Sequence, residues 1–201
     1  IEADLHRLDG EYDLNFRAVV RDGRAYVLKV MRAGCEAALI EMQTAALTHL
    51  AKTAPEVPLP RVVPARDGGL LVEAPDAAGE TRLVWLQEAL PGICYADFRP
   101  HDPALIEDLG RQAGALAAGV ADFDHPGLAR DFKWDLMQAE WIAGKLDAVK
   151  DPARRALLVE ICTAYAELRP ALEALPRQAV HNDLNDYNIL VTGGTGTGQV
   201  S

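Results

Sequence analysis

Apolar and polar residues alternate along several short stretches of the first 90 residues, and this period of two predicts β-strands. The stretches are residues 1–8, 15–20, 25–31, 69–74 and 81–90. Asp22 and Gly23 separate the second stretch from the third, a pair that is typical of a tight hairpin turn. Between residues 36 and 52 the apolar period becomes helical, and its predicted apolar face consists of Leu39, Met42, Ala46, Leu47 and Leu50.

The rest of the chain is dominated by helical periodicity. Residues 103–120, 134–149 and 152–175 are predicted helices, and the first begins with Pro103 directly after Asp102. A short strand at residues 179–180 is expected to lead into a polar loop, and residues 189–191 to pair across a Gly/Thr-rich hairpin turn at 192–198 with a strand that begins at Gln199. The predicted fold class is therefore α+β, with a small antiparallel sheet and one helix in residues 1–88 and a mostly helical lobe in residues 89–201.

Composition narrows the classes of function. The 201 residues are 49% hydrophobic and 25% charged, which is typical of a folded globular protein. A formal charge of -10 argues against a general affinity for nucleic acid or anionic lipid. The three cysteines have no paired spacing, and no run of 18 uncharged apolar residues predicts a membrane span. These features predict a cytoplasmic protein.

Both ends of the sequence indicate a piece of a longer polypeptide. The chain begins without Met in an alternating, strand-like stretch, and it stops at Ser201, where a further strand is expected to begin. We therefore expect the predicted fold to be truncated at its C-terminus.

The polar loop at residues 181–188 contains the pattern His-x-Asp-x-x-x-x-Asn. Phosphoryl transfer from ATP needs a carboxylate that orients the attacking hydroxyl, and a nearby neutral oxygen that helps to hold Mg²⁺ against the phosphates. Asp183 and Asn188 have this spacing, and an apolar strand follows them directly. The alternative is a turn that is rich in Asn and Asp and capped by its own side chains. The sequence context favours a catalytic loop.

The chain resembles the kinase-like small-molecule phosphotransferases, which include aminoglycoside phosphotransferases and choline and homoserine kinases, and it is most similar to the hydroxylysine-kinase type. The resemblance rests on the segments GEYDLNFRAVV, AYVLKV, ALIEMQTAALTHL, LQEALPG and HNDLNDYNIL, in that order. It implies a two-lobed protein-kinase-like fold that uses ATP and Mg²⁺. It also implies roles for the loop residues: Asp183 as the catalytic base, Asn188 as a magnesium ligand, Asn185 near the transferred phosphoryl group, and His181 as a brace of the loop.

Lys29 lies in the middle of a predicted strand, where its ammonium group would reach the α- and β-phosphates of the nucleotide. A solvent-facing lysine on an edge strand is the alternative. Together with the polar loop, the phosphate-binding interpretation is favoured. Either Glu41 or Gln43 is expected to be the partner of Lys29, since the helical wheel puts Glu41 opposite the predicted apolar face and Gln43 within it.

The resemblance also implies which other residues contact the nucleotide. Asn15, in the segment that would cover the phosphates, is expected to contact them, and backbone groups of Glu88 to Leu90 are expected to pair with the adenine edge. Relatives carry a second metal-binding aspartate on the strand after residues 189–191. The sequence stops at Ser201 before such a residue, so the 201-residue piece is expected to be a poor catalyst.

The expected function is transfer of the ATP γ-phosphoryl group to the hydroxyl of a small, amine-bearing metabolite. A hydroxylysine-like amino alcohol is favoured, while an aminoglycoside, homoserine and choline are the alternatives. Proteins of this type also occur fused to an aminotransferase domain. The competing hypothesis is a kinase-like module that binds a nucleotide or a protein partner without catalysis.

Overall fold

The computed structural model describes residues 2–193 and 199–200. The chain divides into two compact units, one formed by Ile1–Leu128 together with Gln178–Ser201, and the other by Ala129–Arg177. The lobe boundary expected after residue 88 stays a prediction. Within the described residues, every helix is too short or too polar to cross a lipid bilayer.

The first unit contains an antiparallel sheet and one long helix. Its elements are β1 (Ala3–Leu8), β2 (Leu14–Val20), β3 (Ala25–Val30), α1 (Ala37–Thr53), β4 (Val62–Val63), β5 (Val72–Pro75) and β6 (Thr81–Glu88). The strand order is β1-β2-β3-β6-β4, and β5 pairs with another part of β6. The predicted strands of residues 1–90 are thus confirmed. The short strand β4 forms within the proline-rich connection after α1.

A hairpin joins β2 to β3 at the predicted place. Gly23 has a φ of 87°, in the left-handed region that favours glycine. The Asp22 Oδ1 atom accepts a hydrogen bond of 3.0 Å from the backbone N–H of Arg24. This turn sets the register in which Asn15 lies opposite Lys29.

Helix α1 buries a different face from the predicted one. Ile40 and Leu50 are buried as expected of large apolar residues, but the third buried residue is Thr44. Its hydroxyl donates to the backbone oxygen of Glu41 at 3.1 Å, which satisfies its polar atom. Ile40 packs with Met31, Leu83 and Trp85 of the sheet. The helix is therefore rotated about its axis relative to the face predicted from Leu39, Met42 and Ala46.

Helix α2 (Pro103–Gly119) begins as its sequence predicts. The Asp102 Oδ1 atom accepts a hydrogen bond of 2.8 Å from the backbone N–H of Leu105, and Pro103 occupies the first turn. At its other end Leu116 packs with Leu50 and Ala54, so α1 and α2 share one hydrophobic core. Their close approach requires glycine at position 119, since a Cβ there would lie 2.8 Å from the Ala54 Cβ atom.

A second, three-stranded sheet has the order β7 (Ile93–Cys94), β8 (Leu190–Thr192), β9 (Gln199–Val200). The predicted pairing with a strand that begins at Gln199 is confirmed. The turn predicted at 192–198 lies for the most part, at 194–198, outside the described residues. The strand predicted at 179–180 was wrong, because both edges of β8 are already occupied, by β7 and by β9.

The second unit contains helix α3 (Pro152–Glu173) and a run of 3-10 helix over Leu136–Ala148. The prediction of a regular helix at 134–149 was thus wrong in type. Gln138 has non-helical angles, φ −115° and ψ 21°, and its side chain bonds to the Arg130 backbone oxygen and to Asp135. The helix is thus interrupted two residues after its start, at the residue that makes these contacts. Helix α3 begins as predicted, with the Asp151 side chain accepting from the Arg154 backbone N–H.

Candidate active site

Two asparagine side chains hold the carboxylate of Asp183. The Asn185 Nδ2 atom donates to Asp183 Oδ1 at 2.7 Å, and the Asn188 Nδ2 atom donates to Asp183 Oδ2 at 2.8 Å. Asn188 Nδ2 also donates to the backbone oxygen of Asp183 at 2.9 Å. The carboxylate is therefore fixed in orientation from both sides, and the side chain remains exposed to solvent. The structure brings together three of the predicted site residues in one network.

The same asparagines shape the backbone of the loop. The Asn185 Oδ1 atom accepts from the Tyr187 backbone N–H at 2.9 Å, and the Asn185 backbone oxygen accepts from the Asn188 N–H at 3.0 Å. Asn182 has a φ of 65°, a left-handed conformation that Asn tolerates better than most residues. The short polar side chains are thus the local cause of the loop conformation.

Buried strand residues anchor the end of the loop. Ile189 and Val191 are 5% and 1% exposed, and Val191 packs with Phe98 and Leu105. On the preceding side, the backbone N–H groups of Tyr95 and Ala96 donate to the backbone oxygens of Ile189 and Asp186. The loop is therefore attached to the segment that follows β7.

His181 lies at the start of the loop. Its Nδ1 atom accepts a hydrogen bond of 3.3 Å from the Asp183 backbone N–H. Although the residue is exposed, partial burial of the ring lowers the pKa of His181, and the adjacent Asp183 carboxylate opposes this effect. The neutral ring is the form that accepts this bond, as expected of a residue that braces the loop.

Lys29 lies in the middle of β3, opposite Asn15 on β2 and Trp85 on β6. Directly opposed residues of an antiparallel pair share one face of the sheet. Its Nζ atom lies 5.4 Å from the centre of the Trp85 ring, a cation–π distance. Burial lowers the pKa of Lys29, and the negative charge of Asp13 partly opposes the shift. Lys29 is thus a partly desolvated cation and not a solvent-facing edge residue.

Asn15 carries an unsatisfied polar atom on this face. Its Oδ1 atom is buried and has no hydrogen-bond partner in the described part of the chain. Gly10 leaves room for the other end of the amide, since a Cβ at position 10 would lie 2.6 Å from Asn15 Nδ2. Buried unsatisfied oxygens are rare, and a ligand is one common reason for them. The observation fits a residue that contacts a bound group.

The structure joins Lys29 to neither of its two expected partners. Glu41 is exposed and lines an open groove with Thr48, His49 and Lys52. Gln43 is half-buried within the rotated inner face of α1. Within residues 2–193, the Lys29 ammonium forms no ion pair or hydrogen bond with either side chain.

Glu88 and Leu90 lie where β6 leaves the sheet. The Glu88 backbone N–H donates to the Arg61 oxygen at 2.8 Å, and the Ala89 N–H donates to the Ala25 oxygen at 3.0 Å. No backbone bond from Leu90 to another described residue is present. Three residues later the chain enters β7, which pairs with β8 directly after the loop. One short connection thus links the end of β6, an inner strand of the first sheet, to the strand that pairs with β8.

A small cavity of about 300 Å³ adjoins the loop, within the first unit. It is lined by Ala113, Leu116, Ala117, Val180, His181, Asn182, Asp183 and Leu184. Its walls are mostly apolar and its residues small. Asp183 and His181 supply its polar edge.

The loop offers one side-chain oxygen, that of Asn188, that suits a magnesium site. Asn188 Nδ2 donates to the backbone oxygen and to Oδ2 of Asp183, so Asn188 Oδ1 is the atom of this side chain that could bind a metal ion. Among the described residues, no group of three or more His, Cys, Asp or Glu side chains is arranged to hold a metal ion.

Sequence reasoning missed three residues around Lys29, namely Gly10, Asp13 and Trp85. The apolar pattern assigns Trp85 to the core, which is correct, but this residue also contacts the Lys29 ammonium. Asp13 was detectable in principle because it lies two residues before Asn15 and so has the same strand parity.

Curated proteins with similar sequences are hydroxylysine kinases. The enzyme of Bos taurus is 29% identical over 123 residues, which are 58% of this chain and 32% of that protein. The enzyme of Xenopus laevis is 27% identical over 171 residues, which are 81% of this chain and 45% of that protein. The chain thus spans less than half the length of these curated relatives.

Solved structures share the fold. A microcompartment-associated aminopropanol kinase superposes with a TM-score of 0.69 at 24% identity, covering 98% of this chain and 62% of that one. The amicoumacin kinase hAmiN, in complex with AMP-PNP, Ca²⁺ and Ami, has a TM-score of 0.67 at 18% identity, covering 98% of this chain and 57% of that one. These likenesses confirm the kinase-like α+β fold.

The model of the phosphotransferase enzyme family, APH, matches residues 4–200, which is nearly the whole chain. The match includes β3 with Lys29 and the loop with Asp183 and Asn188. This chain therefore belongs to the phosphotransferase enzyme family.

Proposed function

We propose that this chain is the nucleotide-binding and catalytic part of an ATP-dependent kinase, which transfers the γ-phosphoryl group to the hydroxyl of a small, amine-bearing metabolite. The observation that carries the proposal is the Asp183 carboxylate, which two asparagine amides hold at 2.7 and 2.8 Å. Membership of the phosphotransferase family supports the same reaction class.

Asp183 is the proposed catalytic base. An incoming hydroxyl must be oriented towards the phosphorus atom as its proton is lost, and a carboxylate of fixed orientation does this better than a mobile one. The amides of Asn185 and Asn188 supply that fixed orientation, and Asn185 is further proposed to contact the transferred group. His181 braces the start of the loop.

Lys29 and Asn15 are the proposed phosphate-binding residues. The Lys29 ammonium is partly desolvated, so that its attraction to a phosphate oxygen is stronger than that of an exposed lysine. When Mg²⁺ is bound with the nucleotide it neutralises phosphate charge, and Asn188 Oδ1 is its proposed ligand in this chain.

The connection from Glu88 to Leu90 is the proposed adenine-binding segment. The N–H groups of Glu88 and Ala89 are used by the sheet, whereas Leu90 makes no backbone bond to the described residues. Its backbone is thus suited to pair with a planar base edge.

A hydroxylysine-like amino alcohol is the favoured acceptor, because the curated relatives with significant similarity are hydroxylysine kinases. Aminoglycosides, homoserine and choline are the alternatives. A cytoplasmic setting and fusion to an aminotransferase domain belong to the same proposal.

The test is magnesium-dependent ATP turnover in the presence of hydroxylysine, ethanolamine, homoserine, choline or an aminoglycoside. The assay uses the chain with any sequence that follows Ser201 in its natural polypeptide, and Asp183→Asn is the control. We expect one amino alcohol to stimulate turnover in the natural sequence and not in Asp183→Asn.

Two other outcomes would contradict the proposal in different ways. Nucleotide binding without stimulation by any acceptor would favour the non-catalytic module. If no nucleotide binds, the roles of Lys29, Asn15 and Leu90 are wrong.

A further inference from the structure

The surroundings of Lys29 contain few charges. On its face of the sheet, the register places Arg17 on β2 and the neutral Trp85 and Gln87 on β6. One strand further on either side lie Asp4 and His6 on β1 and Glu73 on β5. Arg17 would repel the ammonium, and Asp4, His6 and Glu73 are exposed. A buried lysine that keeps its proton needs a closer negative charge than these.

Asp13 supplies that charge. It lies in the connection between β1 and β2, two residues before Asn15, and is half-buried. Its Oδ1 atom accepts a hydrogen bond of 2.8 Å from the backbone N–H of Arg32, three residues after Lys29. The carboxylate is thus fixed to the end of the strand that carries Lys29.

The packing of Gly10 fixes the same connection from its other end. A Cβ at position 10 would lie 2.9 Å from the Asp13 backbone oxygen and 2.6 Å from Asn15 Nδ2. The turn from residue 10 to residue 15 is therefore compact, and it carries Asp13 and Asn15 towards the same face of β3.

Helix α1 offers no equivalent group. Glu41 is exposed and lines the groove that also contains His49 and Asp122. Gln43 carries no charge. The negative charge of Asp13 opposes the lowering of the Lys29 pKa that burial causes.

We infer that Asp13, and not Glu41, is the acidic partner that keeps Lys29 charged and positioned for the nucleotide phosphates. The phosphate-binding part rests on the proposed function, whereas the pairing of Asp13 with Lys29 does not. Asp13 acts through Lys29 and is thus a positioning residue. Through the bond from the Arg32 N–H to Asp13, the connection between β1 and β2 is also held to the chain directly after β3.

The experiment compares Asp13→Asn with Glu41→Gln, two variants that each remove one negative charge. Asparagine keeps an Oδ1 acceptor for the Arg32 N–H, so that the turn is preserved. In the absence of nucleotide, the acylation rate of Lys29 by acetic anhydride is measured against pH by mass spectrometry. We expect the reactive, neutral amine to appear at lower pH in Asp13→Asn, and the Glu41→Gln profile to match the natural sequence.

Binding of ATP with Mg²⁺ is then measured at neutral and alkaline pH. Asp13→Asn is expected to weaken binding roughly threefold to tenfold, and more at alkaline pH, because less of Lys29 is then charged. Asp13→Glu, which restores the charge, is expected to recover much of the affinity. Thermal melting of each variant shows whether it is folded.

Opposite profiles would overturn the inference. If Glu41→Gln shifts the acylation profile and Asp13→Asn does not, Glu41 is the partner. A shifted profile in Asp13→Asn combined with no nucleotide binding by the natural sequence would keep the pairing and reject the proposed function instead.

Discussion

The Asp183 side chain shows how a few short residues define a reactive position. Asn185 and Asn188 each donate one amide hydrogen to it, and each also bonds the loop backbone, so that the same side chains build the loop and orient the carboxylate. Asn and Asp are poor residues for helices and central strands for the reason that makes them useful here, which is their competition for backbone hydrogen bonds.

Replacing Asp183 should separate chemistry from folding. Asp183→Asn keeps the size of the side chain but removes the proton acceptor, and we expect the phosphoryl-transfer rate to fall about 10²- to 10⁴-fold. Binding of ATP should change little. The matched control is Asp186→Asn in the same loop, where the backbone oxygen of residue 186, and not its side chain, accepts hydrogen bonds from the described residues. Steady-state kinetics and nucleotide titration check both variants, and equal losses in the two would argue against Asp183 as the base.

His181 should make stability depend on pH. Its pKa is lowered by partial burial from the ordinary value of 6.5, so protonation favours the unfolded chain. Its contribution to stability is thus intact above that value and declines as the pH falls below it. When the pH is lowered from about 7.5 to about 5.5, we expect the melting temperature of His181→Gln to fall less than that of the natural sequence.

The control for this measurement is His6→Gln, which removes an exposed histidine from β1. Its pH dependence should match that of the natural sequence. If His181→Gln shows an unchanged loss of melting temperature at low pH, the histidine does not brace the loop in its neutral form.

At the scale of elements, period and capping residues predicted most strands and helices, because those signals are local. The face of α1 was predicted wrongly because the apolar wheel ignores a threonine that satisfies its own hydroxyl, as Thr44 does with Glu41. The two-residue strand β7 and the absent strand at 179–180 depend on pairing between distant segments, which no local pattern contains. The break at Gln138 within the 3-10 run coincides with side-chain contacts that the apolar period does not reveal.

Two glycines of α2 should respond to alanine in opposite ways. Gly114 is exposed, and no atom beyond its own helix turn lies within 4 Å of the position that an alanine Cβ would occupy. Gly114→Ala should therefore stabilise the protein by about 0.5–1 kcal/mol through helix propensity. At Gly119 a Cβ would lie 2.8 Å from Ala54 Cβ and 2.9 Å from Leu50 Cδ2. Gly119→Ala should instead destabilise it by about 1–3 kcal/mol.

Chemical denaturation of the two variants provides the measurement, and each serves as the control for the other. Equal effects of the same sign would mean that α1 and α2 are not closely packed at Gly119.

At the scale of the whole molecule, the class of reaction could be predicted from the sequence better than the arrangement of the site residues could. The spacing of Asp183 and Asn188 is local and could be read from residues 181–188. The surroundings of Lys29 could not, because Lys29, Trp85 and the segment that carries Asp13 and Asn15 are distant in sequence and meet only in the folded sheet. For the same reason, the sequence analysis considered Glu41 and Gln43 as partners of Lys29 and did not consider Asp13.

The net charge of -10 should act on an amine-bearing acceptor at long range. Raising the ionic strength from about 0.01 M to about 0.1 M shortens the screening length from roughly 30 Å to roughly 10 Å. We expect KM for a cationic amino alcohol to rise about twofold to threefold over this range. KM for an uncharged analogue with the same hydroxyl should stay constant, and an equal rise for both would argue against electrostatic attraction of the acceptor.

The first unit is assembled from two separate stretches of chain, and Ala129–Arg177 forms a unit of its own between them. All the residues that we assign to nucleotide and to phosphoryl transfer belong to the first unit. In evolutionary terms, we expect these two stretches to change together and the intervening segment to diverge more independently. In related kinases, we therefore expect amino-acid substitutions to accumulate slowly in the two outer stretches and faster in the segment between them.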